Sequence, residues 1–168
     1  MVRLSLSVVG LLIWVGLASA QARFSPKDSQ CSIAFPKPPK EASKEAKTAI
    51  GAIQINTCSL DISRDVAYLL VWTDYPSAVM QTPVAKLLEN VRDGSKGTGS
   101  IVTDSAIEVS DHKYPGRDFV LDFGSRFYRA RAVLKGTRLY QVVIVAKNKD
   151  DVSSESANKF IDSFEITP

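Results

Sequence analysis

The sequence predicts an α+β fold: an antiparallel sheet of seven or eight strands held between helices. Three observations predict it. Residues 114–146 read as three consecutive strands joined by two short glycine turns. Residues 139–145 are apolar at both strand parities, so a sheet there needs cover on both faces. Residues 82–94 and 152–164 carry apolar side chains at helical spacing and supply that cover.

The meander sets its own register. Gly124-Ser125 separates two strands, and glycine at the first loop position suits a type II′ turn. One face then pairs Leu121 with Tyr128, Phe119 with Ala130 and Arg117 with Ala132. The other pairs Asp122 with Phe127, Val120 with Arg129 and Asp118 with Arg131. The first face is apolar and the second carries opposed charges, a sorting that a one-residue slip destroys. Gly136-Thr137 makes the second turn, setting Lys135 opposite Arg138, Leu134 opposite Leu139 and Val133 opposite Tyr140.

The chain opens as an export signal over residues 1–20. Arg3 gives the positive start, residues 4–17 are an apolar run, and Ala18-Ser19-Ala20 is a small-residue cleavage site. The run is short for a membrane span of about 20 residues, and no cysteine follows the cleavage site to take a lipid. Export implies a periplasmic or secreted location. Removing Arg3 leaves 20 basic residues against 18 acidic ones. That balance excludes a dedicated nucleic-acid binder.

Residues 21–30 read as a flexible N-terminal segment and 31–168 as a single domain. Residues 31–35 alternate as a strand that Pro36 ends. Residues 36–47 read as an extended, solvated basic loop, and a hairpin follows about Gly51. A bulge near Asn56-Thr57 reconciles Ile53 and Ile55 with Cys58 and Leu60, which have opposite parity. Residues 66–75 form another strand. Thr82 caps a helix with Pro83 at its first position, and Val84, Leu87, Leu88 and Val91 form its stripe; Gly94 or Gly97 ends it. Residues 101–110 return as a strand, and Tyr114-Pro115-Gly116 suits a type II turn. Ser153 caps the last helix, whose stripe is Ala157, Phe160, Ile161 and Phe164. A short extended Glu165-Ile166 closes the chain.

Cys31 and Cys58 are the two cysteines. In an oxidising compartment a lone pair commonly bridges. A Cys31–Cys58 disulfide would close a loop of about 27 residues and add ~3 kcal/mol. Two separate buried thiols are the alternative. A metal site is not expected: the single histidine, His112, lies far off in sequence and no CxxC is present.

Catalytic readings are weak. A hydrolase would have to use His112 and its neighbour Asp111, with no G-x-S-x-G elbow. Asp118 and Asp122 share a face, but each has an arginine across the strand, which lowers a carboxylate pKa and disfavours a general acid. The glycine-rich run 94–99 follows a helix and so cannot seat phosphate at a helix start. The best binding candidate is the arginine cluster around the meander: Arg126, Arg129, Arg131 and Arg138, with Tyr140 beside them. Arginine next to an aromatic suits an anionic ligand or an acidic partner. The competing reading is that Asp118 and Asp122 consume these arginines.

Three local signatures add a resemblance. Ile33-Ala34-Phe35-Pro36 stands near the mature start, Tyr114-Pro115-Gly116-Arg117-Asp118 opens the meander, and Lys159-Phe160-Ile161-Asp162-Ser163-Phe164 closes the chain. In this order and spacing they resemble the PsbP-like superfamily, in particular its small exported bacterial members. The resemblance implies an antiparallel sheet sandwiched between helices and a non-enzymatic accessory or binding role without a cofactor. It carries over no active-site motif, and the two cysteines are not part of its pattern. The expectation is an exported, non-enzymatic domain that binds an unknown protein or small anionic ligand, without nucleic acid and without a membrane span after signal removal. The alternative is a hydrolase of unfamiliar type using the His112 region.

Overall fold

The computed structural model describes residues 23–48 and 51–167. The export-signal expectation over residues 1–20 lies outside them. Among the described residues nine strands form: β1 (Cys31–Ser32), β2 (Lys40–Thr48), β3 (Gly51–Asp61), β4 (Val66–Asp74), β5 (Ser100–Val109), β6 (Tyr114–Asp122), β7 (Phe127–Lys135), β8 (Arg138–Ala146) and β9 (Glu165–Ile166). Two α-helices accompany them, α1 (Val84–Lys96) and α2 (Glu155–Asp162). The main sheet is antiparallel, seven strands in the order β2-β3-β4-β8-β7-β6-β5. β1 and β9 pair separately, Cys31 opposite Ile166.

The meander register is the one its charge sorting requires. Phe119 pairs with Ala130, Asp118 with Arg131 and Val120 with Arg129. Leu134 pairs with Leu139 and Val133 with Tyr140. β8 then pairs β4 on its far side, so the doubly apolar strand lies in the middle of the sheet. The two faces bury separate cores. Phe119, Leu121, Ala130 and Leu134 pack under Leu87 and Leu88 of α1, which lies across β6 and β7. Tyr68, Leu70, Tyr140 and Ile144 pack under Phe160 and Ile161 of α2. Tyr68 stacks on Phe160 with ring centroids 4.5 Å apart. On the α1 side of β3 the half-exposed residues are Ile55, Thr57 and Ser59, two of the three polar, as suits a partly solvated sheet face.

Several local expectations change. Residues 40–48 are not part of a loop but the edge strand β2. Its alternating lysines and glutamates are exposed and deter pairing by another chain. No bulge interrupts the β3 ladders, because the register runs unbroken through Asn56 and Thr57. Cys58 faces the α2 core and Ile53 is buried on the opposite side, so a strand between two layers takes apolar residues at both parities. The register shift lies instead on β5, between Ile101 and Thr103.

Tyr114-Pro115-Gly116 is strand, not turn. The bend comes earlier, where Ser110 and Lys113 adopt positive φ of 62° and 51°. Gly116 is small for a packing reason: a Cβ there would sit 2.9 Å from the Ala132 carbonyl oxygen. α1 starts after Pro83 and stops at Gly97, whose φ is 49°. α2 is capped by Ser154, whose Oγ accepts from the Ala157 N–H at 3.3 Å, and a 3-10 turn over Asp150–Ser153 precedes it.

Candidate anion-binding site

The arginines fall into two groups. Arg129 and Arg131 flank Asp118 in the sheet and are about four-fifths buried. Arg129 donates to Asp118 Oδ1 at 3.2 Å, to Asn158 Oδ1 at 2.6 Å and to the Val152 carbonyl at 3.2 Å. Arg131 donates to Asp118 Oδ2 at 3.2 Å and to Asp162 Oδ1 at 2.9 Å, reaching the Ile161 carbonyl at 3.4 Å. The pair therefore ties the middle and C-terminal end of α2, and the turn before it, to the sheet. Their guanidinium groups are engaged by these bonds, although Arg131 also borders a cleft of about 470 Å³ beside Asp162 and Phe164.

Arg138 is held in the same way at the other end of β8. It grips Asp74 through two bonds of 2.7 Å and donates to the Asp28 carbonyl. That contact holds the Asp74 carboxyl below the usual carboxylate range. Tyr140 is fully buried; its hydroxyl donates to the Ser29 carbonyl at 2.8 Å, and burial pushes its pKa up to about 12. Arg92 and Arg117 share Asp104, and Arg23 pairs with Glu165 at 3.0 Å. Among the described residues six arginines thus have carboxylate partners.

Arg126 and Arg64 do not. Among the described residues neither guanidinium makes an ion pair or a hydrogen bond. Both are exposed, and both line one cleft of about 370 Å³ together with Lys147, whose ammonium is equally unengaged. Sheet register explains the convergence. Ala146 of β8 pairs with Val66 of β4 on one side and with Phe127 of β7 on the other. One residue further out, Lys147 therefore stands beside Arg126, across a strand spacing of about 5 Å. Arg64 lies in the β3–β4 turn of the same end, and the Lys147 N–H donates to the Asp65 carbonyl at 3.1 Å. Asp61 and Asp65 also line the cleft, so its formal balance is three positive charges against two negative.

Like charges opposed across a ladder are destabilising; the β7–β8 ladder has one such pair, and Arg126 and Lys147, one residue beyond its other end, make a second. In the first, Lys135 faces Arg138. There Arg138 is neutralised by Asp74, and Lys135 donates to the Thr167 carbonyl and sits 5.9 Å from the Tyr114 ring centroid. At the Arg126–Lys147 end neither cation has a partner. A second opening of about 410 Å³ adjoins the first, because Ser125, Arg126 and Val145 line both. Its remaining wall includes the half-buried Phe123 and Tyr128.

The two cysteines do not bridge. Cys31 and Cys58 are separate buried thiols, as β1 is placed by β9 and not by β3. Burial pushes both thiols up, Cys58 to about 12, so they stay protonated and poorly nucleophilic. His112 lies exposed in the 110–113 turn, 5.7 Å from the Tyr114 ring. No serine or carboxylate meets its ring N–H among the described residues, so the turn offers no nucleophile–base pair. The glycine-rich run does not wholly follow the helix: residues 94–96 are its last turn and Gly97 ends it, so the run still opens no helix. Among the described residues no group of three or more His, Cys, Asp or Glu is placed to hold a metal.

Arg126 is thus the one member of the predicted cluster without a hydrogen-bond or ion-pair partner, and Arg64 and Lys147, which line the same cleft, were not singled out from the sequence. Lys147 was within reach of it, since the predicted register extends to Arg126 opposite Lys147. Arg64 was not, because its place depends on the non-local β4–β8 pairing.

No family model and no curated protein matches the sequence. Among solved structures, the chain is similar to the solution structure of cyanobacterial PsbP from Synechocystis sp. PCC 6803. The two share 15% sequence identity with a TM-score of 0.54, over 96% of this chain and 98% of that one. The fold of this chain is PsbP-like.

Proposed function

We propose that the chain is an exported accessory domain that works by binding an anionic partner and not by catalysis. One observation carries the reading. Six arginines are bound to carboxylates, while Arg64 and Arg126, with Lys147, are left without partners in one cleft. Unpaired cations set side by side at a sheet end cost stability through mutual repulsion, and an anion seated between them removes that cost. The PsbP-like fold supports an accessory role in general terms. Export rests on the signal-like residues 1–20, and no helix among the described residues is long and apolar enough to cross a membrane.

The test is a photo-crosslinker placed at Ser125, on the cleft, and separately at Lys86, on α1. Cross-linking is run in the native envelope. The reading expects an adduct from Ser125 that is absent from Lys86 and lost in an Arg64→Glu/Arg126→Glu variant of unchanged circular dichroism. Equal adducts from both positions, or an adduct that survives charge reversal, contradict it.

A further inference from the structure

Resting on that reading of the cleft, we infer that its ligand is an organic phosphomonoester, with the phosphate at Arg64, Arg126 and Lys147 and an apolar group against Phe123, Tyr128 and Val145. The shape is the first reason. The cationic cleft and the aromatic-walled opening meet at Ser125, Arg126 and Val145, so a ligand with two unlike ends can occupy both. Their volumes, about 370 and 410 Å³, are those of small-molecule sites.

Donor number and geometry select the head group. Asp61 and Asp65 leave the cleft only one formal charge in excess. A carboxylate carries a single charge and a phosphomonoester about −1.5 to −2 near neutral pH; with so small an excess, the number and geometry of acceptor oxygens discriminate between them. A phosphomonoester has three acceptor oxygens, which two guanidinium forks and one ammonium can share. A carboxylate has two oxygens and is satisfied by one arginine fork, as Asp74 is by Arg138 here. The apolar wall supplies the rest of the discrimination. Phe123 and Tyr128 are half-buried, and an aromatic or aliphatic substituent on the phosphate removes their remaining surface from water. Inorganic phosphate lacks that part.

The experiment is isothermal titration calorimetry on the full chain near pH 7 with phenyl phosphate, inorganic phosphate, benzoate and an acidic peptide. Arg64→Ala, Arg126→Ala and Arg126→Gln are compared with the wild type and with Lys86→Ala. Both altered arginines, Arg64 and Arg126, are exposed loop sites, and circular dichroism checks the fold of each variant. Phenyl phosphate is expected to bind more tightly than inorganic phosphate and benzoate. Each arginine substitution is expected to weaken it about tenfold or more, and Lys86→Ala to leave it unchanged. Phenyl phosphate binding no tighter than benzoate, or binding insensitive to both arginines, overturns the inference. Binding of the acidic peptide alone overturns the phosphomonoester but leaves an anionic partner standing. Failure of every anion to bind overturns both.

Discussion

Replacing Arg129 by alanine removes the clamp between the sheet and α2. Arg129 makes two bonds to Asp118, at 3.2 and 3.3 Å, one to Asn158 at 2.6 Å and one to the Val152 carbonyl at 3.2 Å. A hydrogen bond to a charged group contributes about 1.5–3 kcal/mol net, and bonds made by one side chain do not add. Asp118 keeps Arg131, so it is not left alone. The expected loss is therefore about 2–4 kcal/mol, or roughly 5–12 °C in melting temperature for a domain of this size. Arg126→Ala serves as the contrast. Its guanidinium has no partner to lose, and an exposed substitution of this kind stays within about 0.5 kcal/mol. Denaturant titration followed by circular dichroism reads both. A double-mutant cycle with Asn158→Ala should return a coupling of about 0.5–3 kcal/mol. Arg129→Ala within 0.5 kcal/mol of wild type, or Arg126→Ala losing as much as Arg129→Ala, refutes the division of the arginines.

Further outcomes are expected from the same structure. Asp104 is held below the usual carboxylate range by its bonds to Arg117 and then Arg92, so its contribution is complete above the unfolded value near 3.8. That contribution is lost as pH falls through the lower folded value, and Asp104→Asn should flatten the acid limb of a stability–pH curve; an unchanged limb excludes this assignment. Both cysteines should resist thiol reagents in the native protein and react in denaturant, whereas rapid native labelling contradicts their burial. Gly116→Ala should destabilise by about 1–3 kcal/mol, since its Cβ meets backbone at 2.9 Å; wild-type stability in denaturant titration contradicts that packing.

Much of the architecture was legible because local rules fixed it. The meander register follows from two glycine turns and the sorting of charge from apolar groups, and Gly124 and Gly136 do adopt positive φ, 77° and 58°. The stripes on α1 and α2 follow from helical spacing. What escaped is what depends on pairing between distant segments. The charged segment 40–48 has no apolar alternation, so nothing local marks it as a strand; its partner β3 makes it one. Tyr114-Pro115-Gly116 has turn residues, yet Gly116 is there because β5 and β7 press on both sides of it. The candidate site shows the same limit. Arg129, Arg131 and Arg126 look alike in sequence, and only the placement of α2 over β7 separates two clamped arginines from one left open. The cysteines are a further case: export chemistry favours a bridge, whereas the pairing of β1 with β9 keeps the two thiols apart.

The central claim is that this chain divides its arginines between holding α2 and meeting an anion. The most direct measurement is an NMR titration of the arginine Nε–Hε resonances with phenyl phosphate. Shifts are expected at Arg64 and Arg126, while Arg129, Arg131 and Arg138 stay fixed. Shifts at Arg129 or Arg131 with Arg64 and Arg126 unmoved would contradict it.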